Sequence, residues 1–287
     1  MEKGRPRRMA LRDVPPDLLL RQLLQPLHLS PHVGALRARD ERVPPLDVIG
    51  VYRRRNGRTV AQMLDQVPGA AVALWGLDGT AAELAGATRG TGAGSRLELL
   101  NRLEREVSTD RGRWLLVADD DVVVPGAQLQ LLVRLAAVAG LDVSQPAHLP
   151  RSYASWRFNR QRITPIVRLT RFVESGPLVL FSPRARGVCL PLPEELGMGW
   201  GLEATFAAAG GESLRLGVVD ATGMRHLTPV STQYRRDEAE STGRRALAQA
   251  GVASYAALQV ETSRWPLWRR RPPWVDRADG RGAREGR

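Results

Sequence analysis

Three consecutive carboxylates, Asp119-Asp120-Asp121, stand between two apolar runs, Trp114 to Ala118 and Val122 to Val124. Adjacent carboxylates repel one another, so gathering them at a strand end is costly unless a cation, a hydrogen-bonding ligand or open water compensates. Mg2+ and Mn2+ take such oxygen ligands and can neutralise a departing diphosphate. Asp119 and Asp121 have the Asp-x-Asp spacing for that task, one carboxylate on the metal and another within reach of metal-bound water or ribose hydroxyls. A solvated acidic turn is the alternative for the triplet taken alone. His226, six residues past Asp220, is a candidate third ligand, and an imidazole beside carboxylates suits Mn2+ better than Ca2+. By itself it also reads as a surface or satisfied polar histidine.

Transfer to a hydroxyl also requires a base, because an unassisted alcohol is a poor nucleophile at neutral pH. Glu203, behind the turn Gly199-Trp200-Gly201, is the candidate, with Trp200 offering an apolar face to a sugar ring. An ordinary acid favoured by the dipole of a first helical turn is the alternative. Glu174, between Phe172-Val173 and Ser175-Gly176-Pro177, is the competing carboxylate on the substrate side. The lone cysteine, Cys189, has no partner for an internal disulfide and reads as a small buried hydrophobe.

These side chains must be carried by a regular frame. Leu46 to Tyr52 is an apolar run fit for a buried strand, and Thr59 to Gln66 has helical spacing through Val60, Met63 and Leu64. Ala70 to Trp75 reads as a second strand ending near Asp78. After a glycine-rich stretch from Gly90 to Gly94, taken as a flexible loop, Arg96 to Val107 is helical through Leu97, Leu100 and Leu103. The strand before the triplet is then the third. Alternating strands and helices predict a parallel sheet covered on both faces, with ligands beyond the carboxyl ends of its strands. Downstream, Gln128 to Ala139 is an amphipathic helix, Arg151 to Arg171 an irregular connection, Phe172 to Phe181 a strand, Gly197 to Ala209 the opening and body of a helix, and Leu216 to Asp220 a short strand.

In this order, Asp119-Asp120-Asp121, Gly-Trp-Gly-x-Glu ending at Glu203, and a late His226, the chain resembles glycosyltransferases of the GT-A fold. A narrower resemblance, to a poorly characterised plant and bacterial GT-A-like family, rests on Ser144-Gln145-Pro146-Ala147, Phe172-Val173-Glu174, Gly199 to Glu203, and Gly217-Val218-Val219-Asp220 leading to His226. It covers about residues 46 to 228. It implies an α/β fold with an open mixed sheet flanked by helices, in one main domain over residues 46–263. It also implies a nucleoside-diphosphate sugar donor (UDP-, GDP- or dTDP-linked), an unidentified hydroxyl acceptor, and Mn2+ or Mg2+ held by Asp119, Asp121 and His226. Asp78, Arg96, Asp119 and Asp120 would lie toward the nucleotide. Glu203 stands where those relatives commonly have Asp. Two other readings compete: a catalytically idle scaffold of the same fold, and a phosphatase of haloacid-dehalogenase type, which the sequence Asp-x-Asp-x-Val fits. The latter wants a later lysine, and the only lysine is Lys3.

The 287 residues carry a formal charge of +12, but +4 falls within residues 1–12 and +5 within residues 264–287. Only +3 remains between them, with no helix-turn-helix, zinc finger or stacking-aromatic pattern, so a nucleic-acid partner is not expected. No stretch of about 18 apolar residues and no signal-peptide pattern occurs, which predicts a cytoplasmic location. Residues 1–45 read as a basic, Pro-rich extension. Residues 264–287, with Trp265, Trp268, Trp274 and Arg269 to Arg271, read as a disordered tail with the composition for peripheral contact with an anionic membrane.

Overall fold

The computed structural model describes residues 43–209, 214–229 and 235–275. The expected extension lies almost wholly outside these residues, as does the end of the tail. Strand β1 (Leu46–Tyr52) is buried along its whole length. Its apolar run supplies both faces of the sheet, as strands covered on both sides require. Alternate residues separate cleanly: Val48, Leu74 and Leu116 enter one core, whereas Ile49, Ala73 and Leu115 enter the other. Helices α1 (Gly57–Leu64) and α3 (Gln128–Val138) cover the first face, and α2 (Arg96–Val107) and α4 (Pro183–Cys189) the second. Cys189 is buried at the end of α4, and burial followed by the charge of Asp142 pushes its thiol up to about 11, which keeps it unreactive.

The sheet runs β10-β7-β9-β6-β8-β4-β1-β2-β3, with β5 (Val122–Val123) paired to β9 off this path. Strands β2 (Ala71–Gly76) and β4 (Trp114–Ala118) join β1 in the expected parallel block, and β3 (Thr88–Thr91), which was not expected, extends it beyond β2. Beyond β4 the sheet becomes mixed. Strand β8 (Leu178–Phe181) runs antiparallel between β4 and β6 (Val143–His148), and β9 (Leu216–His226) lies parallel to β6. The open mixed α/β sheet expected from the sequence is therefore the architecture found. Among the described residues no helix is long and apolar enough to cross a membrane.

Several local expectations are corrected. Gly90 belongs to edge strand β3, where a Cβ would meet the Trp75 ring at 2.3 Å, so the acidic triplet follows the fourth strand and not the third. Residues 172–177 are irregular, and the strand expected from Phe172 begins only at Leu178. The Arg151 to Arg171 connection contains a sheet strand, β7 (Pro165–Thr170), hidden from a hydrophobicity reading by Arg168. That guanidinium is fully buried because Asp220 accepts from its Nε at 2.7 Å, an arrangement that satisfies both charges. Residues beyond Arg264 were expected to lack order, yet β10 (Glu261–Pro266) pairs with β7. Trp265 is buried, and the Trp274 Nε1–H donates to the Ala139 carbonyl at 2.7 Å. Alternating exposure along β10 had masked an edge strand whose buried side chains come only at its end.

Candidate active site

The C-terminal ends of β1 and β4 open into a cavity of ≈ 330 Å3. Its walls include all three residues of the triplet, together with Arg96, Glu174, Trp200, Glu203 and His226. Among the described residues, five carboxylates thus line the cavity against two arginines, Arg53 and Arg96, and one histidine. Asp78 is not among the lining residues; its Oδ1 accepts from the Arg54 N–H at 2.6 Å at the end of the neighbouring strand.

The three aspartates do different work. Asp119 continues β4, its N–H donating to the Pro177 carbonyl at 2.8 Å. Its Oδ1 accepts from Arg96 Nε at 2.9 Å and Nη2 at 2.7 Å. Arg96 is the first residue of α2, where the helix dipole disfavours a cation, so the buried guanidinium is held there by the carboxylate and not by the helix. Asp120 is buried and turned toward β1, accepting from the Arg53 N–H at 2.7 Å. Burial raises its pKa despite that bond and one from Asn56, and the charges of Asp121 and Asp119 add to the rise. It ties the acidic turn to the end of β1.

Asp121 faces His226, with 3.1 Å between Oδ1 and Nε2. They meet because β5 pairs antiparallel with the end of β9, opposing Val122 to His226, and because the Leu227 N–H donates to the Asp121 carbonyl at 2.9 Å. The expected strand at Leu216 to Asp220 had stopped short of the segment that does this. Burial opposes ionisation of both partners, yet their mutual hydrogen bond and charge prevail: Asp121 is held below the usual carboxylate range and His226 above the usual imidazole range. Among the described residues no group of three or more His, Cys, Asp or Glu could hold a metal ion, so the expected set of Asp119, Asp121 and His226 is not assembled; Asp119 Oδ1 is taken by Arg96. Asp121 and His226 nonetheless form a carboxylate-imidazole pair on the wall of a cavity rich in acids, a donor set that fits a divalent cation completed by phosphate and water oxygens.

Across the cavity, Glu203 lies at the start of α5 (Leu202–Ala209). The Gly-Trp-Gly turn puts it there: Gly199 and Gly201 have φ of 101° and 103°, and a Cβ on Gly201 would meet that of Ala246 at 2.6 Å. Glu203 is buried, and among the described residues no cation is bonded to it. Oε1 accepts from Ser175 N at 3.2 Å and Ser175 Oγ at 3.0 Å, and Oε2 accepts from the Gly201 N–H at 3.1 Å. Burial therefore dominates and raises its pKa to about 7, with a smaller push from the charge of Glu174.

Glu174 is equally buried but has the opposite character. His148 Nε2 lies 3.1 Å from its Oε2, Asn159 Nδ2 donates at 3.3 Å, and its own N–H donates to Gln145 Oε1 at 2.6 Å. Burial opposes its ionisation, but His148, Ser155 and Asn159 outweigh burial and hold the carboxyl below its ordinary value. Sequence reasoning missed His148 and Ser152. The other nitrogen of His148, Nδ1, is 2.8 Å from Ser152 Oγ, which in turn accepts from the His226 N–H at 2.9 Å. The signal available was position: His148 directly follows the motif Ser144 to Ala147 at the end of β6.

Trp200 lines the cavity and stands edge-on to Trp156 and Tyr255, with ring centroids 6.3 Å apart in each case.

No protein-family model and no curated protein matches the sequence. Solved structures do resemble the fold. One is GalNAc-T7, solved with UDP, GalNAc and Mn2+: TM-score 0.53, 11% identity, 73% of this chain covered. This chain spans 48% of that one, about half its length. Another is residues 1–349 of S. aureus TarS in complex with UDP, with TM-score 0.48, 12% identity, and coverage of 75% of this chain and 68% of that one. The likeness to GalNAc-T7 identifies the open mixed sheet as the GT-A fold.

Proposed function

We propose that the protein is a metal-dependent glycosyltransferase that moves a sugar from a nucleoside-diphosphate donor to a hydroxyl acceptor with inversion. The observation that carries this reading is the meeting, in one cavity at the strand ends of a GT-A fold, of the Asp121-His226 pair with a cation-free, buried Glu203. The GalNAc-T7 neighbour, solved with UDP and Mn2+, supports a UDP-linked donor.

In this reading Asp121 and His226 would hold Mn2+ or Mg2+, which would supply positive charge to a diphosphate leaving group. Asp119 gives Oδ1 to Arg96, and its second carboxylate oxygen would be the one offered to the ribose. Arg96 and Asp119 form the nucleotide wall, Asp120 fixes the turn, and Asp78 lies toward the base at the rim. Glu203 removes the proton from the acceptor hydroxyl. As that oxygen bonds to the anomeric carbon, the bond from this carbon to the diphosphate oxygen breaks and the electron pair leaves with the diphosphate. A pKa of about 7 leaves Glu203 ionised often enough to act while keeping it a competent base. Glu174, held ionised, favours positive charge developing on the sugar ring, and Trp200 offers that ring a flat apolar face.

Isothermal titration of Mn2+ and UDP into wild type and Asp121→Ala tests the assignment. Wild type is expected to bind UDP in a Mn2+-dependent way, and the variant about tenfold or more weakly, since even groups that only support a metal ligand are worth that much. UDP binding that ignores Mn2+, or a variant that binds as well as wild type, overturns it.

A further inference from the structure

Beside the candidate active site lies a second and larger cavity of ≈ 640 Å3. Ser155, Trp156 and Trp200 line both, so the two share a wall. The second is built from residues 151–160 on one side and from α6 (Arg236–Gln249) and α7 (Tyr255–Leu258) on the other.

Its charge is one-sided. Arg151, Arg160, Arg236 and Arg244 line it, and Glu240 is the single acid among the lining residues. That acid is already shared, with Arg236 Nε at 2.6 Å from one oxygen and Arg244 Nη1 at 3.8 Å from the other. Arg160 Nη2 donates to the Ser152 carbonyl at 3.3 Å and the guanidinium feels the charge of Glu174, while its Nε and Nη1 are buried without a hydrogen-bond partner. Arg151 has φ of 64° and is the one non-glycine residue with positive φ among the described residues. A side chain in the left-handed region is strained, and such strain collects at ligand clamps.

The opposite property is supplied by aromatic rings. Trp156 and Tyr255 lie face to face with a tilt of 36° and centroids 4.8 Å apart, and Trp200 meets both edge-on. This makes an apolar shelf along the wall between the cavities. A sugar presents the C–H face of its ring to such a shelf, while its charged substituent remains free for the guanidiniums.

We propose that this cavity is the acceptor site and that the acceptor is a sugar carrying an anionic group, phosphate or carboxylate. This rests on reading the adjoining cavity as the donor site. The sugar ring lies on Trp156 and Trp200, its anion is held by Arg160 with Arg151 and Arg244, and a free hydroxyl reaches past the shared wall toward Glu203.

Titrations followed by calorimetry test it, with glucose 6-phosphate, glucuronate, glucose and inorganic phosphate as probes. Both anionic sugars are expected to bind, with glucose and inorganic phosphate each weaker by about tenfold or more, as loss of a charged hydrogen bond or of the ring contact implies. Arg160→Gln is expected to weaken glucose 6-phosphate by about tenfold while leaving Mn2+-UDP binding unchanged. Arg151→Gly and Arg244→Gln alter exposed side chains, are expected to fold normally, and carry the same test if Arg160→Gln does not fold. Glucose or phosphate binding as tightly as glucose 6-phosphate overturns the proposal. So does failure of every probe to bind wild type, or unchanged affinity in the arginine variants. A wild type that binds the anionic sugars but not UDP overturns the donor reading and with it the acceptor role, while the anionic-sugar site itself stands, because the two titrations report on separate cavities.

Discussion

The two ends of β1 hold buried charges arranged on opposite plans. At the N-terminal end, Asp47 is fully buried and receives Arg113 Nε at 2.6 Å and Arg186 Nη1 at 2.6 Å. Arg186 Nε also reaches Glu104 at 3.0 Å, and Arg111 pairs with the same acid. Every acid there has a guanidinium. At the C-terminal end, five carboxylates line a cavity with two arginines and one histidine, and Glu203 is bonded only to a hydroxyl and backbone N–H groups. In the first cluster each acid is paired, although Arg186 Nη2 is buried without a hydrogen-bond partner, and the cluster serves packing. The second is short of positive charge, and that deficit is what a metal-bound substrate would fill.

The sharpest way to break this contrast is Glu203→Gln. Removing a general base is expected to lower donor-to-acceptor turnover by about 10²- to 10⁴-fold, measured at pH 8 with the fold checked by thermal melting. Wild-type turnover should rise with pH through about 7 as Glu203 ionises, and the variant should lose that limb. Stability runs the other way. Because the folded state holds this proton more tightly than the unfolded chain, the stabilisation is complete below about pH 4.5 and is lost as pH rises through about 7, a change of roughly 3 kcal/mol. Urea unfolding across pH 4 to 8 should show this slope in wild type and not in the variant. A variant with full turnover, or with the same slope, would remove Glu203 from its role.

At the closed end, Arg186→Met should cost stability and not chemistry. Taking away the shared guanidinium leaves Asp47 and Glu104 under-compensated in the core, with an expected loss of about 3–5 kcal/mol in urea unfolding. Mn2+-UDP affinity of the folded fraction should stay as in wild type. A stable variant that has lost UDP binding would mean the two ends are coupled. The smallest effect belongs to an exposed pair on α2, Arg102 with Glu106 at 3.1 Å. Glu106→Ala should change stability by only a few tenths of a kcal/mol, because solvent screens the pair. A larger change would show that burial is not what separates the strong ion pairs of this molecule from the weak ones.

The parallel half of the sheet was legible because its signals are local. Leu46 to Tyr52 and Trp114 to Ala118 are unbroken apolar runs, and the spacing of Leu97, Leu100 and Leu103 along α2 repeats within one helix. The antiparallel half was less so, since Arg168 interrupts β7 and only its pairing with Asp220 makes it a core residue. The same division runs through the candidate site. Chemical type and spacing named Asp121, Glu203 and His226, but not His148, whose importance lies in what its two nitrogens touch.

What the sequence determined by itself was β1, β2 and β4 of the parallel block though not its edge strand β3, that three carboxylates follow one of them, and that two glycines bracket Trp200 with the backbone freedom the turn needs. The tertiary structure decided how those carboxylates are employed. Pairing of β5 with β9 delivers His226 to Asp121, the start of α2 gives Arg96 to Asp119, and the end of β1 takes Asp120. It also decided that Glu174 stays ionised while Glu203 titrates near neutrality. The physical reason is that desolvation and partner distance belong to the assembled environment of a group, and neither is encoded in the residues beside it in the chain.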